Sequence, residues 1–281
     1  MVYAISSQGR SVMSFNWINV EDYTSDIFLL MDRWLIRCIV HHYEDHQNFD
    51  ENLGIILAYN PTVAWYFGKR APETMEKRDR LIANAPKGLT EKEVRLAEDF
   101  VFDVLDWAIV LVDPDVMNSN CNYIYNWDKD RLLELADFND KVVLDVGSGT
   151  GRLAFAVAPL AKHVYASEPV DMLREYMRDK IKKERITNVT VVDGTVERIP
   201  YPDNMFDIVM SGHVVGDDYE TELAELTRVV RNGGYIIDCP GDDDFKRKGP
   251  DSELLKRGFE YFYHKSSLGG DIYRYRKEVM K

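Results

Sequence analysis

With 281 residues, 45% of them hydrophobic and 30% charged, the chain is long enough to bury a core without staples and is neither disordered nor fibrous. Its 35 Lys and Arg against 48 Asp and Glu give a formal net charge of −13, which argues against binding a nucleic-acid backbone or an anionic membrane surface. Cys38, Cys121 and Cys239 follow no CxxC or framework spacing, and neither a signal-peptide pattern nor a long uncharged apolar run stands out, so a cytoplasmic protein with reduced thiols is expected.

Residues 1–138 read as helical and carry most of the acidity, 13 basic against 23 acidic residues. From Asp26 to Asp45, Ile27, Leu30, Met31, Trp34, Leu35 and Cys38 recur at spacings of three and four, one helical face, with Thr24 or Ser25 as N-cap. His41, His42 and His46 crowd the end of that segment. Two imidazoles four residues apart can bind zinc, but no third ligand follows at helical spacing, so no metal is expected. Shorter helices are expected over 51–59, stopped by Pro61, and over 62–68. Thr90 and Glu93 form a capping box opening a helix that runs to Val112 and ends at Asp113-Pro114, and a last helix covers 128–136. Aromatic residues are dense throughout. This half is read as a helical cap and substrate domain, whose acidity suits a neutral or cationic small molecule.

At Lys141 the period changes. Val142–Val146 is a short apolar run ending in glycines, which suits a buried parallel strand. Further strands are expected over 163–167, 189–192, 206–211 and 234–239, alternating with helices over 152–160, 171–184 and 219–230. Two last β-rich runs, 259–265 and 272–279, flank Ser-Ser-Leu-Gly-Gly-Asp and read as an antiparallel hairpin on the sheet edge. The second domain is therefore 139–281, of α/β class.

The segment Asp145-Val146-Gly147-Ser148-Gly149-Thr150-Gly151-Arg152 places a glycine-rich turn between a strand and a helix, where backbone can approach a ligand closely. Arg152 stands where a dinucleotide fingerprint wants its third glycine, and no lysine follows Gly151 as a P-loop requires. The form G-x-G-x-G preceded by Asp145 resembles motif I of the class I S-adenosylmethionine-dependent methyltransferases. Four later segments resemble that family in order: Glu168-Pro169 after the second strand, Val192–Asp203 after the third, Phe206–Ser211 as the fourth, and Leu226–Ile237 before the fifth. Arg257-Gly258-Phe259 resembles the entry to its sixth strand. Thr195 replaces the family's usual acid beside the adenine, and Asn232 replaces a proline.

The resemblance implies a Rossmann-like, doubly wound seven-stranded sheet of order 3-2-1-4-5-7-6 with the terminal hairpin antiparallel, plus the N-terminal helical cap. It implies S-adenosyl-L-methionine as cofactor, held by Asp145, Gly147, Ser148, Gly149, Gly151, Glu168, Pro169, Met172, Gly194, Thr195, Val196, Ser211 and Tyr125 (or Tyr123 in place of Tyr125). It further implies in-line methyl transfer to a small-molecule acceptor, a step needing proximity and dry surroundings more than a catalytic dyad. His213, just past the fourth strand, is the candidate general base. No Asn-Pro-Pro-Tyr or Pro-Cys motif follows the fourth strand, which disfavours amide, adenine-amine and cytosine acceptors. The competing readings are transfer to a protein or tRNA, and a catalytically inactive cofactor-binding protein.

Overall fold

The computed structural model describes residues 18–41, 48–125 and 127–281. His42, His46 and Trp17 lie outside the described residues. These divide into two compact units, 18–113 and 114–281.

The first unit is helical: α1 (Arg33–His41), α2 (Phe49–Tyr59), α3 (Pro61–Arg70), α4 (Met75–Asn84), α5 (Glu91–Val104) and α6 (Asp106–Leu111). Its core is apolar, with the Phe28 ring 5.5 Å from Phe67 and 5.7 Å from Phe102. Two expected helices are broken, each at an aspartate. The face read from Asp26 onward divides into a 3₁₀ turn over Ser25–Leu30 and α1, because Asp32 Oδ1 accepts the Leu35 N–H at 3.0 Å and starts a new helix. The long helix from Thr90 gives way at Leu105, where Asp106 Oδ1 takes the Trp107 N–H at 2.6 Å. The Thr90–Glu93 capping box forms as expected.

The second unit opens with α7 (Pro114–Asn120), α8 (Asn122–Tyr125) and α9 (Asp130–Leu133), then alternates β1 (Val142–Val146), α10 (Arg152–Val157), β2 (His163–Ser167), α11 (Asp171–Glu184), β3 (Val189–Val192), β4 (Phe206–Ser211), α12 (Tyr219–Val229), β5 (Val230–Asp238), α13 (Ser252–Lys256), β6 (Glu260–Lys265) and β7 (Asp271–Val279). The boundary between units lies at Asp113/Pro114 rather than at 138/139. The reason is packing: Leu132, Leu135 and Phe138 bury themselves in the same core as Val143, Val164 and Ile208 of the sheet.

The seven strands take the order β3-β2-β1-β4-β5-β7-β6, with β5–β7 and β6–β7 antiparallel and the other pairs parallel. Successive side chains on each strand point to opposite faces. Val143, Ile208, Met210 and Ile237 therefore pack with α10 and α11 on one face, while Leu144, Val146, Val209 and Ile236 pack with α12 on the other. The fold is the expected doubly wound α/β sheet with a terminal hairpin. Its connections leave β1 in opposite directions, toward β2 and then back across to β4. Ligands in open α/β sheets bind at the carboxyl ends of the strands at that reversal.

Candidate functional site

The turn after β1 occupies this reversal point. Gly147, Gly149 and Gly151 all have positive φ, +65°, +58° and +89°. A side chain at Gly151 would be strained by that φ, and its Cβ would stand 2.3 Å from the Phe155 ring. The turn is sewn to β2: the N–H groups of Gly147 and Ser148 donate to the Ser167 carbonyl at 2.8 and 3.1 Å, and Ser148 Oγ donates to the Asp145 carbonyl at 2.9 Å. On its other side, Thr150 Oγ1 donates to Asn118 Oδ1 at 2.7 Å, and Met117 of the same helix α7 lies against Gly149.

Glu168, 1% exposed, spans the site. Its Oε2 accepts the Gly149 N–H at 2.8 Å and its Oε1 the Val170 N–H at 3.0 Å. Each oxygen keeps a second lone pair. Arg174 on α11 donates to the Glu168 carbonyl at 2.7 Å and pairs with Asp171 and Asp193, which fixes the backbone on either side of the carboxylate. Gly194, after β3, closes the set: a Cβ there would stand 2.6 Å from Ser167 Oγ, a buried hydroxyl without a partner.

Asp145 is buried at the end of β1. Oδ2 accepts the Ala154 N–H at 3.0 Å, while Oδ1 has no partner. Burial, with Glu168 nearby adding to it and Arg152 opposing it, pushes its pKa up to about 7. The same carboxyl in an unfolded chain titrates near 4, at about 3.9. Between about pH 4 and 7 the folded protein holds the extra proton, so this group contributes stability at low pH that is lost as pH rises through that window. Relative to wild type, Asp145→Asn is therefore expected to gain thermal stability steadily from pH 4 to pH 7. A melting-temperature difference flat over that range would contradict the shift.

The structure brings Asp145, Gly147, Ser148, Gly149, Gly151, Glu168, Pro169 and Gly194 together around the reversal point. The other expected residues are placed as follows. Val196 is 3% exposed and packs into the core beside Leu144 and Val146. Thr195 bridges to Arg198. Ser211, paired with Val146 in the sheet, donates its hydroxyl to Asp238 Oδ1 at 3.1 Å. Burial raises Asp238 to about 7. Met172 sits half-buried on the first turn of α11. Tyr125 is 57% exposed, whereas Tyr123 is the buried aromatic, its Cβ about 2.4 Å from where a side chain at Gly241 would begin.

His213 has a φ of +69°, unusual for a residue with a side chain. Its ring lies 5.4 Å from that of Tyr123, and Nε2 accepts the Gly241 N–H at 3.1 Å. The lone pair a general base would use is thus engaged, and Nδ1 carries the proton of the neutral ring. Burial, with the charges of Arg152 and Arg247 adding to it, lowers its pKa to about 3. This geometry suits a residue that pins two loops together, and not the base expected from the sequence. The loop beyond is held by Glu222, which is 1% exposed and accepts the N–H groups of Gly216, Asp217 and Asp218 at 2.7–3.1 Å.

Sequence reasoning missed Arg174, Asn118, Glu222 and Asp238. Each acts through a partner 4 to 32 residues away. Only the position of Asp238, last on β5 and level with Ser211, carries a signal readable beforehand.

A methyltransferase-domain family model matches residues 144–238. A demethylmenaquinone methyltransferase of Geobacillus sp. (strain WCH70) is 33% identical over 131 residues, which cover 44% of this chain and 56% of that protein. Another, of Shouchella clausii (strain KSM-K16), is 30% identical over 172 residues, 58% of this chain and 71% of that protein. The crystal structure of a SAM dependent methyltransferase from Aquifex aeolicus aligns with a TM-score of 0.48 and 20% identity, over 60% of this chain and 99% of that one. The chain thus spans a little over half the length of the first of these relatives.

Proposed function

The chain belongs to the class I S-adenosylmethionine-dependent methyltransferases, and on that premise we propose that it transfers a methyl group to a small-molecule acceptor. The observation that carries this reading is the arrangement of Asp145 and Glu168, two buried carboxyl groups flanking a glycine turn at the sheet's reversal point.

The residues fit the cofactor. Asp145 Oδ1 is a buried oxygen without a partner, suited to an ammonium group. The free lone pairs of Glu168 suit ribose hydroxyls. Gly147 and Gly149 present bare backbone. Asp145, Glu168 and the 147–151 turn would hold the cofactor, which supplies a methyl group already activated on a sulfonium. What remains for the chain is to orient and to exclude water. Glu168 fixes the turn through Gly149, Glu222 fixes the loop after β4, and His213 ties that loop to Gly241, so the walls of the site are set before an acceptor arrives. The names of the demethylmenaquinone relatives favour a small molecule over a protein or tRNA.

Calorimetry of the full chain tests the reading. S-adenosylhomocysteine is expected to bind with a dissociation constant in the micromolar range, on the order of −8 kcal/mol, and NAD not at all. Absence of binding by both S-adenosylhomocysteine and S-adenosylmethionine would overturn it.

A further inference from the structure

Two arginines, Arg152 and Arg274, lie beside Cys239, just past the end of β5. Arg152, the first residue of α10, donates from Nη2 to the Cys239 carbonyl at 2.8 Å and stacks over the Trp127 ring, its guanidinium carbon 4.6 Å from the centroid. Its path runs beneath the turn after β4: a Cβ at Gly212 would stand 2.6 Å from Arg152 Nη2. Arg274 on β7, 1% exposed, lies close enough to Cys239 for its charge to act on the thiol, donates from Nη2 to Asp242 Oδ1 at 3.0 Å and meets His264 Nδ1 from Nη1 at 2.7 Å.

Both arginines keep a donor with nowhere to go. Arg152 Nη1 and Arg274 Nε are shielded from solvent and have no hydrogen-bond partner. Buried N–H groups are rarely left so, because the desolvation cost of about 1–3 kcal/mol, more for a charged group, goes unrecovered. Charge sharpens the point. Arg274 is paired with Asp242, but among the described residues Arg152 makes no ion pair, although Asp145 is close enough to feel its charge. Arginine presents planar donors matched to oxyanions.

A separate observation points the same way. His213 has its Nε2 lone pair committed to Gly241, so the residue best placed as a base is not free to take a proton. An acceptor that arrives ionised needs none.

We propose that Arg152 and Arg274 form a subsite beside Cys239 that binds an anionic oxygen of the methyl acceptor, such as a carboxylate or an ionised phenol. The subsite rests on the methyl-transfer reading for its role, though not for its existence. It reverses the expectation from overall charge: within an acidic chain these two guanidinium groups favour an acid over a neutral or cationic acceptor.

The test uses full-length protein with arginine labelled at ¹⁵Nε, saturated with S-adenosylhomocysteine and titrated with benzoate or with uncharged benzamide. Benzoate is expected to shift the Arg274 Nε resonance in a saturable way, and benzamide to leave it in place. Arg152→Gln, at a less buried position, is expected to weaken benzoate binding at least tenfold while S-adenosylhomocysteine affinity stays within threefold. Equal response to both probes, or none to either at 20-fold molar excess and above, up to about 50 mM, overturns the subsite. A tenfold loss of S-adenosylhomocysteine affinity in Arg152→Gln overturns it differently, by assigning the guanidinium to the cofactor's own carboxylate. Failure of the wild type to bind S-adenosylhomocysteine contradicts the methyl-transfer reading instead, and benzoate titration of the cofactor-free protein still reads the subsite.

Discussion

Glu168→Ala is expected to lower affinity for S-adenosylhomocysteine by at least tenfold, about 1.4 kcal/mol, and to destabilise the α/β unit as well. Two separate losses underlie this. The Gly149 and Val170 N–H groups, which the carboxylate now receives at 2.8 and 3.0 Å, are left without an acceptor in a buried place, at about 1–3 kcal/mol each. The cofactor also loses the acceptor proposed for its ribose. Glu168→Gln separates the two: one carbonyl oxygen replaces two carboxylate oxygens, so one amide stays satisfied and the fold loses less. Calorimetry together with chemical denaturation reads both quantities. Unchanged affinity in Glu168→Ala would remove the residue from the binding site and leave it a structural role.

Arg274→Met is expected to destabilise the fold by about 3–5 kcal/mol, because it strands Asp242 without its cation in the protein interior. The double variant Arg274→Met, Asp242→Asn is expected to recover much of that loss, since replacing both members of a buried pair costs less than removing one. Denaturation midpoints of the two single variants and the double variant form the cycle that checks this. Additive losses would mean that the pair does not interact as the 3.0 Å contact indicates.

How far the sequence foretells this molecule depends on whether the signal is local. The strands β1 to β4 agree with expectation because each is a short apolar run bounded by turn residues, and α11 agrees to the residue. Strand β5 begins at Val230, four residues earlier than expected, because the glycine pair at 233–234 sits within the strand, where the register to β4 shifts between Phe206 and Ile208. Helix α4 escaped notice because its ten residues bury only Lys77 and Leu81, too few for a periodic apolar signal. The glycine turn, Asp145 and Glu168 were legible, being adjacent to strands that announce themselves. The Arg152–Cys239–Arg274 convergence was not: its members are 87 and 35 residues apart, and nothing in their local sequence marks them as neighbours. His213 has the chemistry of a base in the sequence, and only the position of Gly241 reveals that its lone pair is spent.

The placing of β7 between β5 and β6 governs how the sheet can be assembled. Among the described residues β6 pairs with β7 alone, a short loop away, while β7 must also find β5, whose last residue precedes it by more than thirty positions. Short loops close fast and long ones slowly. The hairpin is therefore expected to form before it docks on β5, and during synthesis β6 leaves the ribosome before its neighbour β7 is made. Arg274 rides on that hairpin. The juxtaposition of Arg274 with Arg152 is consequently expected to be made late, when the hairpin docks on the parallel strands.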